Sequence, residues 1–214
     1  MESCVTPIEM AFTSHDTTKL PPDRAKPPII AVDARNHGES PHSQDFSYSH
    51  LAEDVRLLME KLNIQQSSLI GHSMGGRAMM LKALKYPHSV EKLIVVDISP
   101  VGISPSMGVM KNYFEAMKNV RIENNVTMSA ARKTADEQLK TAVPAYECTC
   151  QDSMLRLFLT TNLIEENGNY RWRVNLDAIS QNFFSHMIEF PPAPPNPFEG
   201  PTLFIGGGKS DFLR

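Results

Sequence analysis

Gly71-His72-Ser73-Met74-Gly75-Gly76 narrows what this chain can fold into more than any other stretch. It follows a short apolar run, Ser68-Leu69-Ile70, and leads into a helical run from Arg77 to Tyr86. A G-x-S-x-G between a strand and a helix presents its serine on a sharp turn, a nucleophile elbow. Glycines two residues before and after the serine let strand and helix backbones approach closely at a strained turn. The turn also places Ser73 at a helix N-terminus, where the backbone N–H of Met74 can point at a developing oxyanion. A Gly-rich loop with a capping serine is the plainer reading, and the strand–turn–helix context argues against it.

The rest of the chain fits a parallel sheet covered by helices. Ile29-Ile30-Ala31-Val32-Asp33 is a continuous apolar run of the kind that suits a strand buried on both faces. From Ser49, Leu51, Val55, Leu58, Met59 and Leu62 recur at helical spacing. Ser67–Ile70 reads as the next strand, Met74–Leu84 as a helix stopped by Pro87, and Lys92–Val96 as a third strand. Strands and helices alternating in this way predict an α/β fold. From Val101 to Phe190 the rhythm changes. Met107–Lys118, Thr127–Lys140 and Ser153–Thr161 read as helices, Asn167-Gly168 as a hairpin turn, and Leu176, Ile179, Phe183 and Met187 as one face of a further helix. Pro191–Pro197 is a stiff return linker, and Thr202–Ile205 a fourth core strand. The expected organisation is a flexible tail over 1–27, a core over 28–100 and 198–214, and an inserted helical lid with its linker over 101–197.

Composition removes several function classes. The 214 residues are 41% hydrophobic and 21% charged, an ordinary globular balance. A net charge of −3 and seven scattered histidines give no basic stripe for nucleic acid. No apolar run approaches about 20 residues, so no membrane span is expected. Cys4, Cys148 and Cys150 make no disulfide framework, and Cys148-Thr149-Cys150 lacks further ligands at zinc spacing. No cofactor or metal is expected. Residues 1–27 mix acids with bases, unlike a transit peptide, and lack the apolar core of a signal peptide, so a cytoplasmic location fits the composition.

Five stretches together resemble the α/β-hydrolase family, in particular a group of lipases and their bacterial esterase relatives. They are Val32–Ser43, Gly71–Gly76, Val95-Val96-Asp97-Ile98-Ser99-Pro100, Trp172-Arg173-Val174-Asn175-Leu176-Asp177 and Gly200–Phe204. The likeness runs from about Pro28 to Phe212. It implies an α/β-hydrolase fold, mostly parallel, and a serine hydrolase acting on carboxylic esters, including acylglycerol lipids. It also implies a mitochondrial location and links to the 2-oxoglutarate dehydrogenase complex. Such hydrolases carry a His-Gly loop after an early strand and a histidine after the last one. This sequence matches neither, so by resemblance it is the middle of a hydrolase, with a gap where the early strand would lie.

The resemblance makes Ser73 the nucleophile and Met74 an oxyanion donor. For the acid it offers Asp177, at the matching position, while Asp97 at the end of a core strand is the geometric rival; both stay open. Asp211 is a third candidate. Asp177 also suits the first turn of a helix capped by Asn175 without any catalytic role. His72, His37 and His186 match no triad histidine. The methionines Met107, Met110, Met117, Met128 and Met154 suit an apolar acyl chain or plain packing. Three functions follow: a serine esterase, a weak or inactive truncated form of one, and a non-catalytic interaction protein.

Overall fold

The computed structural model describes residues 5–15, 28–102, 108, 110–142, 150–192 and 194–213. Strand β1 (Phe12–His15) pairs antiparallel with β2 (Ile29–Val32). The tail expected over 1–27 is therefore corrected for its described part. Ile8 N–H donates to Asp54 Oδ1 at 2.7 Å, and Ala11 N–H to Ser40 Oγ at 2.8 Å. Met10 is buried against Val55, Leu58 and Met59. One buried apolar anchor and a few backbone bonds order a segment in which apolar residues (Val5, Ile8, Met10, Ala11, Phe12) are interspersed with polar ones. The second correction concerns β2. It was expected to be buried on both faces, yet Ile29 is 63% and Val32 41% exposed. Its only strand partner among the described residues is β1.

The core sheet is parallel, in the order β3 (Ser67–His72), β4 (Val90–Val96), β7 (Thr202–Ile205). Gly71 lies beside Val95, and Val95 beside Phe204. Helix α1 (Tyr48–Lys61) begins at Ser47, whose hydroxyl accepts from His50 N–H. It buries Leu51, Val55, Leu58 and Met59, the residues whose spacing announced it. Helix α2 (Met74–Lys85) packs on β3, β4 and α1. Ile70 on β3 is 68% exposed and Leu203, Phe204 and Ile205 on β7 are about half exposed, so the apolar strand residues are only partly covered.

Between β4 and β7 lie α3 (Met110–Asn119), α4 (Met128–Ala142), α5 (Cys150–Thr160), the hairpin β5 (Leu163–Glu166) and β6 (Asn169–Trp172), and α6 (Leu176–Asn182). Their limits differ from the expected helices by one to three residues. A π-helical turn, Phe183–Met187, extends α6. Asn167 and Gly168 have φ of 53° and 77°, the left-handed pair a two-residue hairpin turn requires. The hairpin forms its own sheet, and no described strand of this segment joins the core sheet. The segment packs through Tyr113, Phe114, Met117, Leu139, Leu159, Leu176, Ile179 and Met187 onto Leu51 of α1 and Ala78 and Leu81 of α2. Met117 is buried and Met154 66% exposed, so the methionines do not share one environment. Met107, Cys4 and Cys148 lie outside the described residues. No described helix is long and apolar enough to cross a membrane.

Candidate active site

Ser73 stands between the last residue of β3 and the first of α2, with φ 50° and ψ −119°. A side chain with a Cβ at this φ stores on the order of 1–3 kcal/mol of strain. Two backbone bonds hold the residue there. Ser73 N–H donates to Val96 O at 2.9 Å, and Arg77 N–H donates to Ser73 O at 3.2 Å. The hydroxyl does not cap the helix and makes no hydrogen bond among the described residues. The side chain is half-buried. Met74 and Gly75 begin the helix, so their N–H groups have no intrahelical acceptor and carry the positive end of the helix dipole. The strain gives a prediction. Ser73→Gly should be more stable than Ser73→Ala by about 1 kcal/mol or more, because glycine alone relaxes at this φ. Urea unfolding midpoints measure it, and equal midpoints would contradict a strained turn.

The close approach expected at Gly71 and Gly75 is real at one of them. A Cβ on Gly71 would lie 2.3 Å from the Gly75 carbonyl oxygen and 2.6 Å from Gly76 N. A Cβ on Gly75 would meet nothing within 4 Å. The second crowded position is Gly76, where a Cβ would sit 2.7 Å from Ile98 Cγ2. Strand and helix thus touch at Gly71 and Gly76, while the Cα of Gly75 faces open space beside Ser73.

Of the acid candidates, the structure brings Asp97 to the end of the sheet that carries Ser73. Asp97 directly follows Val96, the residue that accepts the Ser73 N–H. Its own N–H donates to Ile205 O at 2.7 Å, and its φ is 55°. Its carboxylate accepts from Gly207 N–H at 2.8 Å and from Ser210 Oγ at 2.9 Å, which fixes the loop after β7. Asp177 sits elsewhere, in the first turn of α6 behind the Asn175 cap. Its side chain is 75% exposed and 3.4 Å from Lys118 Nζ. With His42, Trp172 and Asn175 it lines a shallow surface depression. Of Asp211, only its place in the last 3-10 turn is described.

No histidine bonds to Ser73, Asp97 or Asp177 among the described residues. His37, in the loop after β2, holds its Nδ1 3.0 Å from Arg35 O, so that nitrogen carries the proton. Burial lowers its pKa, against the pull of the Arg35 carbonyl and Asp33, so the ring is neutral near pH 7. His72 and His186 are exposed. Two features were not legible as site features: the crowding at Gly76, and Arg77, which is fully buried one turn after Ser73. An arginine opening an apolar helix run was the available signal for the second.

The sequence pattern of the family described as the alpha/beta hydrolase fold matches residues 22–213. Among curated proteins, the sn-1-specific diacylglycerol lipase ABHD11 of Mus musculus is 44% identical over 87% of this chain and 57% of its own length. Its counterpart in Danio rerio is 40% identical over 93% of this chain and 60% of its own length. The chain therefore spans less than two thirds of either relative. Among solved structures, a marine microorganism esterase superposes with a TM-score of 0.77 at 29% identity, covering 97% of this chain and 84% of that one.

Proposed function

Because this chain belongs to the α/β-hydrolase fold family, we propose that it acts on carboxylic esters, with acylglycerols as the substrate class, through an acyl-enzyme on Ser73. The observation that carries this is the strained Ser73 at the β3–α2 turn, its hydroxyl without a hydrogen-bond partner among the described residues. In the proposed reaction Ser73 Oγ attacks the ester carbonyl and its proton passes to solvent. The oxyanion accepts a hydrogen bond from the N–H of Met74. Collapse breaks the ester C–O bond, the departing alkoxide takes a proton from solvent to leave as the alcohol, and the acyl group stays on Ser73. Water then attacks the acyl carbonyl, releasing the acid and restoring the hydroxyl. Asp97 is the acid candidate the geometry favours, since it directly follows β4, the strand whose last residue holds the Ser73 N–H. The segment from 101 to 190 acts as a lid, since Met74 packs against the apolar cluster it helps to form. The diacylglycerol lipase relatives supply the acylglycerol class. A mitochondrial location and an association with the 2-oxoglutarate dehydrogenase complex complete the proposal and rest on the resemblance alone.

With no histidine bonded to Ser73 among the described residues, turnover by this chain should be slow. Loss of a triad base costs about 10⁴-fold or more in rate. A non-catalytic interaction protein is the second reading, and the same observation favours it. Hydrolysis of nitrophenyl acetate and of a diacylglycerol by the purified chain, beside Ser73→Ala, separates the two. Slow release that disappears in Ser73→Ala supports the esterase. Equal rates in both chains would reject it.

A further inference from the structure

Arg77 is 1% exposed, and its guanidinium meets backbone carbonyls at every nitrogen. Nε donates to Ser99 O at 3.1 Å, Nη2 to Gly102 O at 3.0 Å and Nη1 to Ile188 O at 2.7 Å. Ser99 and Gly102 form the stem by which the chain leaves β4 for the helical segment. Ile188 lies on the stem by which it returns. One side chain therefore holds both stems. The charge has no carboxylate partner among the described residues. It is balanced by three carbonyl dipoles and the Tyr48 ring, 6.0 Å from the guanidinium carbon. Tyr48 Oη reinforces the returning stem by donating to Met187 O at 2.9 Å.

The position of Arg77 turns this fastening into a link with the site. Its N–H donates to Ser73 O, and Met74 packs against the cluster containing Tyr113, Phe114 and Met187 of the fastened segment. An ordinary buried ion pair would satisfy the charge without joining distant backbones. Three carbonyls from two stems, gathered by one planar fork, fix the stems relative to each other and to the helix that begins at Ser73.

We propose that Arg77 is a positioning residue, a clamp that sets how the segment between its stems sits over Ser73 and thereby how long acyl groups are seated. The proposal rests on the ester reading for its consequence, but not for its geometry. Lysine keeps the charge and can reach one stem, yet its single nitrogen cannot span the fork. Arg77→Lys is therefore the test variant, because Arg77→Met leaves three buried carbonyls unpaired and risks misfolding.

The experiment has two readouts on the full chain. The first is single-turnover acylation of Ser73 by nitrophenyl acetate and by nitrophenyl decanoate, followed by intact mass. Arg77→Lys should raise the half-saturating concentration of the decanoate about tenfold and change that of the acetate far less, since only the longer ester needs the segment in register. Equal changes for the two esters, or none, would overturn the clamp. The second is amide hydrogen exchange. Amides of α3 and α6 should exchange about tenfold faster in Arg77→Lys while β3 and β4 keep their protection. Unchanged exchange, or uniformly faster exchange, would also overturn it. If the wild-type chain is not acylated at Ser73, the ester reading fails and exchange alone decides the clamp.

Discussion

Gly71→Ala is expected to unfold the elbow, whereas Gly75→Ala, four residues on in the same motif, is expected to leave it intact. The two glycines occupy equivalent places in the G-x-S-x-G pattern, but their surroundings are opposite. A methyl group on Gly71 would stand 2.3–2.6 Å from backbone atoms of Gly75 and Gly76. Backbone cannot rotate aside as a side-chain tip can, so β3 and α2 must separate. That separation breaks the Ser73 N–H bond to Val96 and the Arg77 N–H bond to Ser73. Overpacking costs about 1–3 kcal/mol and occasionally more, and a clash with rigid backbone belongs at the upper end, a large share of the roughly 5–15 kcal/mol that holds a domain folded. At Gly75 a methyl group meets open space, and alanine favours helix over glycine by up to about 1 kcal/mol. Urea unfolding of the two variants decides it. Similar destabilisation by both would mean that the close approach is misplaced.

Breaking the buried pair between Arg35 and Asp54 should be nearly as damaging. Both side chains are fully buried, with Arg35 Nε 2.7 Å from Asp54 Oδ2 and Nη2 2.6 Å from Oδ1. The same guanidinium donates to Thr6 O and Asp45 O, and Asp54 accepts from Ile8 N–H. The pair thus joins the loop after β2, helix α1 and the segment before β1. Asp54→Ala leaves a buried cation without its partner, a loss of about 3–5 kcal/mol. The double variant Arg35→Met/Asp54→Leu removes both charges and should lose less than Asp54→Ala alone. A double variant less stable than the single one would contradict the desolvation argument. The N-terminal segment supplies a local readout, since amides of residues 8–15 should lose their exchange protection first.

The parts legible in the sequence were those set by short-range spacing. The strand-to-helix turn at Ser73, the one-faced helix α1, the Asn167-Gly168 hairpin and the parallel strands β3, β4 and β7 all follow from periodicity or turn chemistry. What was hidden depends on partners distant in sequence. Ile29–Val32 is apolar enough for a buried strand, but its exposure is decided by which neighbours pair with it, and among the described strands only β1 does. Met10 reads as one of several apolar residues in a mixed segment, and only the fold shows that it completes the cluster on α1. For the acid, residue type could not choose between Asp97 and Asp177. The fold separates their surroundings: Asp97 follows the residue that holds the Ser73 N–H, while Asp177 is an exposed helix-start residue beside Lys118. Gly76 and Arg77 escaped notice because the elbow pattern says nothing about what lies behind the helix.

In the proposed function the β3–α2 turn presents Ser73 as a nucleophile. The most direct measurement is covalent labelling of the purified chain by a fluorophosphonate, mapped by peptide mass beside Ser73→Ala. Slow labelling confined to the peptide that contains Ser73, and none in Ser73→Ala, is the expected result. Absence of label after prolonged exposure, or equal label on another residue in both chains, would contradict it.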